Sequence, residues 1–306
     1  MNGKLKGSIL IFLGASCYGM LGIYVKKAYL EGYNTAEVTL SQFGIGFITL
    51  FIVNVFRNIK RPQVAETKLP FTSKLKLMVA GTSLGLTSIF YYLAVIHIPV
   101  SFAIVLLMQT VWMGIILEML ITKKIPDLNK IVAAIMVIIG SVIATNLLGQ
   151  SVDLNWKGVL WGMMAALCYT ATMYSTKNIK PQYSPYQRSL YMILGGLVII
   201  CIVYHSSLNS DFNYHIFYSW GLLISLFGTV LPPLLFTAGM PLTGIGLGAI
   251  LSSVEIPVAV LAASLLLKEN VSPLQWFGVI LILIAVGVMN LKNKSGPDHL
   301  SKLECN

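Results

Sequence analysis

Charged residues are scarce in this chain of 306 residues. They make up 10% of the sequence, whereas about a quarter of the residues in a soluble domain are charged. The chain has 4 histidines and 4 cysteines, and neither type recurs at the spacings of a metal site or a disulfide framework. The scarcity excludes an ordinary soluble domain, and we expect neither a cofactor nor a bound metal.

What the chain has instead is apolar sequence. Hydrophobic residues make up 56% of it, and the mean hydropathy is +0.79. Stretches long enough to cross a bilayer recur from end to end and are continuously apolar, which favours helices over the alternating strands of a barrel. We therefore predict an all-α polytopic membrane protein with ten transmembrane helices, at 7–25, 36–56, 76–96, 100–122, 130–148, 157–175, 187–204, 217–238, 244–266 and 274–291.

The net charge of +10 is distributed unevenly between the two sides of these spans. All lysines and arginines fall at connections on one side, except Lys26, Lys27, Lys157 and Lys268. Basic connections face the cytoplasm, so the pattern predicts a multi-pass protein of the cytoplasmic membrane with both termini cytoplasmic. The charge thus indicates topology and argues against nucleic acid as a partner.

The sequence also contains an internal repeat. Gly7, Cys17-Tyr18 and Gly44 recur, at one constant interval, as Gly158, Cys168-Tyr169 and Gly195, and Pro126 and Gly140 recur at a slightly shorter interval as Pro273 and Gly287. Each half holds five spans, and an odd number inverts the second half relative to the first, as in many secondary transporters. We expect two five-helix repeats, 1–148 and 149–292, followed by a short polar cytoplasmic tail, 293–306.

Glu255 is the acid nearest the middle of a span. It lies 11 residues, or ~16 Å, into the apolar stretch 244–266, close to the midplane of a hydrocarbon layer ~30 Å thick. An ionisable residue at that depth is a hypothesis of function. Glu255 either binds a proton or a substrate ammonium between the halves, or is a neutral acid bonded to a serine, a tyrosine or the backbone at a kink. An apolar surrounding favours the protonated form of a carboxyl group, and this suits both interpretations.

Other features inside the spans accompany Glu255. We expect the polar-tipped residues to line a central cavity and bind substrate together with it, although any one of them could simply pack between helices: Tyr18, Gln42, Tyr91, Gln109, Trp112, Tyr169 and Tyr191. Pro257 and the pair Pro232-Pro233 predict kinks. Glu118 lies one turn from a cytoplasmic helix end and is expected to reach towards that interface.

The C-terminal part of the chain resembles a known family. Glu255, Glu269, Gln275 and Gly278, within SSVEIPVAVLAASLLLKENVSPLQWFGVILILIAVG, resemble the EamA family of drug/metabolite transporters. Pro257 stands one position further from the acid than in the family pattern, and Gln42-Phe43 stands where members often carry Arg-Phe. The resemblance implies secondary transport of a small organic metabolite, more often by efflux.

We therefore predict a permease that exports a small zwitterionic or cationic solute by alternating access, because its spans hold acids but no lysine or arginine at mid-depth. Glu255 is the expected coupling residue and protons the candidate ion. The expected partners are a small-molecule substrate and membrane lipid, with monomer and homodimer both open. A passive channel is the alternative. An intramembrane enzyme is disfavoured, because the spans lack paired acids, a buried histidine set and an activated nucleophile.

Overall fold

The structure is a computed structural model that describes residues 3–60, 70–98, 100–147, 155–208, 211–268 and 270–292. The predicted tail and Glu269 lie outside these residues. All regular elements in the described part are helical, and thirteen are α-helices: α1 (Gly3–Leu30), α2 (Thr35–Lys60), α3 (Phe71–His97), α4 (Val100–Leu107), α5 (Thr110–Thr122), α6 (Leu128–Ala144), α7 (Trp156–Asn178), α8 (Pro185–Val203), α9 (Trp220–Ser225), α10 (Leu231–Thr243), α11 (Ile245–Ser252), α12 (Glu255–Leu266) and α13 (Pro273–Lys292).

These helices form ten spans. The fourth span consists of α4 and α5, the eighth of α9, a π-helical segment (Leu226–Val230) and α10, and the ninth of α11 and α12. Seven spans are long and apolar enough to cross a membrane, and the apolar parts of α6 and α13 are shorter. The remaining helix, α7, is more polar because its buried Thr170, Thr172, Ser175 and Thr176 face neighbouring helices. The predicted fold class is confirmed.

Contacts between helix ends show which ends of the spans lie together. Arg188, at the start of α8, binds the backbone near the end of α7, and Glu118, near the end of α5, lies against the start of α11. At the other side of the bundle, Gln275 at the start of α13 binds the last residue of α6. We call the side that holds Arg188 and Glu118 the basic end, and the other side the opposite end.

The resemblance residues of α13 hold it against α6. Ser272 and Gln275 form a capping box, in which each side chain accepts a hydrogen bond from the backbone of the other at 3.0 and 3.3 Å. The same Gln275 amide donates to the carbonyl of Ala144 at 3.2 Å. Gly278 allows close crossing, because a Cβ there would lie 2.7 Å from the carbonyl of Gly140. Gln275 and Gly278 therefore join the last spans of the two halves.

Spans four and nine are each interrupted near the middle. The fourth breaks at Met108 and Gln109, where no proline predicts it, and the ninth breaks at Ser253 and Val254. The sequence places the kink at Pro257, but Pro257 is the third residue of α12, where a missing N–H costs no helical hydrogen bond. The break precedes Glu255 and makes it the first residue of α12.

Arg188 compensates a carbonyl that a proline leaves without a donor. Pro241, inside α10, cannot supply the N–H that would bond the carbonyl of Thr237 one turn earlier. The Arg188 guanidinium donates to that carbonyl at 2.8 Å, to Ile179 O at 3.2 Å and also to Thr176 O. Its place in the sequence assigns Arg188 to a cytoplasmic connection, but the residue is 1% exposed and its side chain lies between α7 and α10.

We expect Arg188→Met to lower the free energy of unfolding by about 2–4 kcal/mol, because three carbonyls lose a charged donor where water cannot replace it. In a Pro241→Ala background the loss should be smaller, because a restored N–H at position 241 can bond Thr237 O within the helix. Thermal unfolding in detergent of the wild type, the two single variants and the double variant completes the double-mutant cycle.

Arg57→Met is the control, because Arg57 lies 3.8 Å over the Tyr186 ring near the same end of the bundle. We expect it to cost about 1 kcal/mol. An identical loss on replacing Arg188 in both backgrounds would contradict its pairing with the carbonyl that Pro241 leaves free.

Candidate functional site

The backbone of Glu255 is held against α1. A Cβ at Gly19 would lie 2.5 Å from the carbonyl oxygen of Glu255 and 2.9 Å from the Cβ of Val258. Only a glycine therefore lets α1 approach α12 this closely, as small residues do at helix crossings in membranes. The close crossing places the acid, which begins a second-half helix, beside the first helix of the first half.

The Glu255 side chain is half-buried and, among the residues that the structure describes, has no hydrogen bond or ion pair. The helix break next to it is closed by main-chain hydrogen bonds and by the Ser253 hydroxyl, which donates to Ile250 O at 2.7 Å. Ser253 N–H donates to Ile250 O at 3.2 Å, and Ile256 N–H donates to Ser253 O at 3.1 Å. The interpretation of Glu255 as an acid that secures a kink requires a hydrogen bond that the described part of the chain does not provide.

Three tyrosines from three helices lie near this acid. Tyr18 of α1, Tyr91 of α3 and Tyr169 of α7 are close enough for the charge of Glu255 to act on their hydroxyl groups. The Tyr18 and Tyr169 rings meet edge to face, with centroids 6.3 Å apart. The Tyr169 hydroxyl is buried near Ser252, but no described group forms a hydrogen bond of ordinary geometry with it. We call these four residues the acid–tyrosine cluster.

A narrow cavity, with room for about one water molecule, lies between the two halves next to Tyr18 and Tyr169 of this cluster. Tyr18 and Tyr169 line it together with Phe236, whose ring centroid is 5.9 Å from that of Tyr18. Thr176 near the end of α7 also lines it, so the cavity reaches towards the basic end. Pro233 in α10 contributes part of the wall.

Pairs of hydroxyl groups join the two halves beside this cavity. Their residues are not among those predicted from the sequence to bind substrate. Thr170 of α7 lies 2.8 Å from the hydroxyl of Thr110, at the break of span four. Two residues further along α7, the Thr172 hydroxyl lies 2.8 Å from the hydroxyl of Ser83 in α3. The concentration of threonine and serine in α7 is the sequence signal that marks this helix as a central one.

Other candidate residues lie apart from the cluster. Trp112 is 37% exposed, and its ring N–H donates to the side-chain oxygen Oε1 of Gln109 at 2.8 Å. The side-chain nitrogen of Gln109 donates to Val105 O at 3.0 Å. These residues satisfy one another along one helical strip. Tyr191 packs with Leu77, and the ammonium of Lys74 lies 5.6 Å from its ring. Trp112 and Gln109 are therefore bonded to each other within one span, and Tyr191 contacts a lysine near a helix end.

Gln42 lies apart from both the acid–tyrosine cluster and the residues just described. Its side chain is 3% exposed and packs against Gly228 in the π-helical segment of span eight. Its backbone carbonyl accepts a hydrogen bond from the Thr229 hydroxyl at 2.8 Å. Gln42 thus lies at the junction of α1, α2 and span eight, and only its backbone has a hydrogen-bond partner there that joins it to another helix.

Glu118 does not reach towards an interface as its position suggested. It forms an ion pair with Lys130 at 2.7 Å, and its side chain is 14% exposed. Its two carboxylate oxygens face Gly244 and Gly246, where a Cβ would meet them at 2.7 and 2.5 Å, and the ammonium of Lys177 lies nearby. A carboxylate is favoured at a helix N-terminus such as the start of α11, so Glu118 joins the two halves at the basic end.

Known proteins share this architecture. The chain matches the EamA-like transporter family over residues 5–146 and 156–291, which is most of its length and comprises two copies of the family unit. A solved crystal structure of a protein has the same fold, with a TM-score of 0.77 and 12% identity over 94% of this chain and 98% of that chain. No curated protein sequence matches. The chain belongs to the EamA-like transporter family and is a multi-pass membrane protein of a family that transports small solutes.

Proposed function

We propose that this protein is a secondary active transporter that exports a small zwitterionic or cationic organic solute, such as an amine or amino acid, across the cytoplasmic membrane. The observation that carries the proposal is the acid–tyrosine cluster, in which Glu255 has no described protein partner and three tyrosines approach it from three helices. Both halves of the fold contribute to the cluster, so their relative movement changes its exposure.

The chemistry of the cluster suits an ammonium group. A carboxylate attracts a cation much more strongly in a water-poor site than in bulk water, and tyrosine rings add a cation–π contribution. The unpartnered Tyr169 hydroxyl is available to the solute as a donor or an acceptor. Arg188 is the buried cation of the neighbouring helices, and three carbonyl oxygens already engage it, which disfavours an anionic solute.

Proton coupling follows from competition for one carboxylate. When a proton binds Glu255, the acid becomes neutral and the ammonium loses its counter-charge and leaves. When the proton leaves, the carboxylate binds the next cation. One cation therefore exchanges for one proton at the same group, and proton entry can drive export of the solute.

Alternating access requires the two ends of the bundle to open in turn. We infer that the basic end faces the cytoplasm, because lysine and arginine concentrate there. The Glu118–Lys130 pair, seated on the start of α11, closes that end by joining the first half to the second. Separation of these groups then admits solute from the cytoplasm.

Glu255→Gln should weaken amine binding about tenfold to a hundredfold, because it removes the only charge of the cluster. We expect the wild-type protein to show an amine-induced rise in melting temperature that the variant loses. In proteoliposomes the wild type should show saturable counterflow that depends on pH, and the variant should lose the pH dependence.

Glu31→Gln is the control, because Glu31 is an exposed acid outside the cluster. If Glu255→Gln keeps the wild-type transport rate and pH dependence, Glu255 is not the coupling group. Flux without saturation or counterflow would identify a passive channel instead.

Glu118→Gln should open the basic end more often, because it removes the attraction to Lys130 and to the start of α11. Thr176→Cys, in a background without the 4 native cysteines, provides the reporter, because Thr176 lines the cavity near this end. We expect a water-soluble maleimide to label it several-fold faster when Glu118→Gln is added. The exposed Lys124→Gln should leave the labelling rate unchanged, and equal rates in all three proteins would refute the closure.

A further inference from the structure

Gln42 carries a buried polar group without a partner. Its side chain is 3% exposed, and no described group bonds its amide oxygen. An amide oxygen buried without a partner lowers the stability of a protein, and most buried polar side-chain atoms in proteins are paired. An unpaired amide at this depth indicates a group that binds there and that the protein itself does not supply.

The neighbouring π-helical segment holds a second acceptor, a backbone carbonyl without a helical donor. The carbonyl of Gly228 would normally accept a hydrogen bond from the N–H four residues later, or five residues later in a π-helix. Those residues are Pro232 and Pro233, and neither has an N–H. The Gly228 carbonyl therefore has no donor from either helical pattern. π-helical turns of this kind often occur at functional sites.

The two acceptors lie together because residue 228 is a glycine. A Cβ there would collide with the Gln42 side-chain nitrogen and would lie 3.0 Å from the carbon of its amide group. The amide head of Gln42 thus rests on the backbone of the residue whose carbonyl lacks a helical donor. We call Gln42 and the Gly228 carbonyl the amide subsite.

The amide subsite adjoins the acid–tyrosine cluster through α1. Leu21 would contact a Cβ at Gly228 at 3.1 Å, and Tyr18, one turn earlier on α1, belongs to the cluster. Pro233, one of the two prolines that leave Gly228 without a donor, lines the same cavity as Tyr18 and Tyr169. The cluster and the subsite therefore adjoin α1 about one helical turn apart, so a small elongated solute held at Glu255 would extend along α1 to reach the subsite.

The chemistry of the subsite selects an uncharged donor. It offers two carbonyl-type acceptors and one amide donor, and the side chains identified around it, Leu21, Ser225 and Thr229, are uncharged. A carboxylate would face two acceptors without a compensating cation, and an apolar group would leave both unpaired. A hydroxyl or carboxamide would satisfy them.

We propose that Gln42 and the Gly228 carbonyl bind a neutral hydrogen-bond-donating group of the solute, so that the preferred substrates are amines that carry a hydroxyl or carboxamide. This inference rests on the proposed function, because it takes the solute's ammonium to be held at Glu255. Gln42 is then the residue that distinguishes an amino alcohol from a simple alkylamine.

The test uses unbranched amino alcohols of two to six carbons beside alkylamines of the same chain length. We expect the wild-type protein to bind the best-fitting amino alcohol about tenfold more tightly than its alkylamine, as one additional hydrogen bond predicts. In Gln42→Leu the ratio should fall to about one, while alkylamine affinity stays unchanged. Affinities come from thermal shift and from competition in counterflow.

Gln109→Leu is the matched control and should keep the tenfold ratio, because the protein already satisfies the Gln109 amide. Without ligand, Gln42→Leu should be at least as stable as wild type, since it removes an unpaired amide. A clear loss of stability, or a preserved tenfold ratio, would show that Gln42 is structural and would overturn the inference.

Failure of the proposed function gives a different result. If alkylamines bind Glu255→Gln as tightly as wild type, the ammonium is not held at Glu255, and the proposed function is wrong whatever Gln42 does. If Glu255→Gln abolishes amine binding while wild type and Gln42→Leu show the same amino alcohol preference, the proposed function stands and the amide subsite is wrong.

Discussion

Every backbone polar group within a membrane must find its hydrogen bond inside the protein, because the hydrocarbon layer offers none. The prolines of this chain show how that constraint is met. Pro241 leaves Thr237 without a donor and Arg188 supplies one, while Pro257 lies in a first helical turn where no donor is missing. Among the prolines that the structure describes, the pair of span eight is the one that leaves a carbonyl, that of Gly228, with neither helical donor. One of these two prolines, Pro233, lines the cavity.

Close helix crossing is the second requirement, since helices in lipid associate through packing and not through a difference in hydrophobicity. Glycines mark the crossings that shape the site. Gly19 lets α1 touch the backbone of Glu255, Gly228 admits the Gln42 amide, and Gly246 admits the carboxylate of Glu118. A single methyl group at any of these positions would displace a polar group that the proposed mechanism uses. These glycines therefore determine where the polar groups of the proposed site lie, as well as how closely the helices pack.

The spans, the repeat and the central position of Glu255 were predictable, because apolar length, charge distribution and repeated residues are properties of the sequence alone. The grouping of Tyr18 and Tyr169 with Glu255 also followed from the repeat. The break at Gln109 could not be predicted, because no proline marks it and only a local hydrogen bond to Trp112 accompanies it. Burial of an arginine near a helix start depends on a carbonyl left free elsewhere in the chain, and residue order alone does not reveal such a pairing.

Hydrogen bonding separates the acids and amides that stabilise this fold from those available to a solute. Glu37 is buried, yet two backbone N–H groups bind its carboxylate at 2.7 and 2.8 Å, and Glu118 has Lys130. Glu255 has neither kind of partner in the described part of the chain. The same contrast separates Gln109, whose amide the protein satisfies, from Gln42, whose amide oxygen it leaves unpaired. A protein gains no stability from leaving such groups unpaired, so the occurrence of both next to α1 argues that a solute completes them.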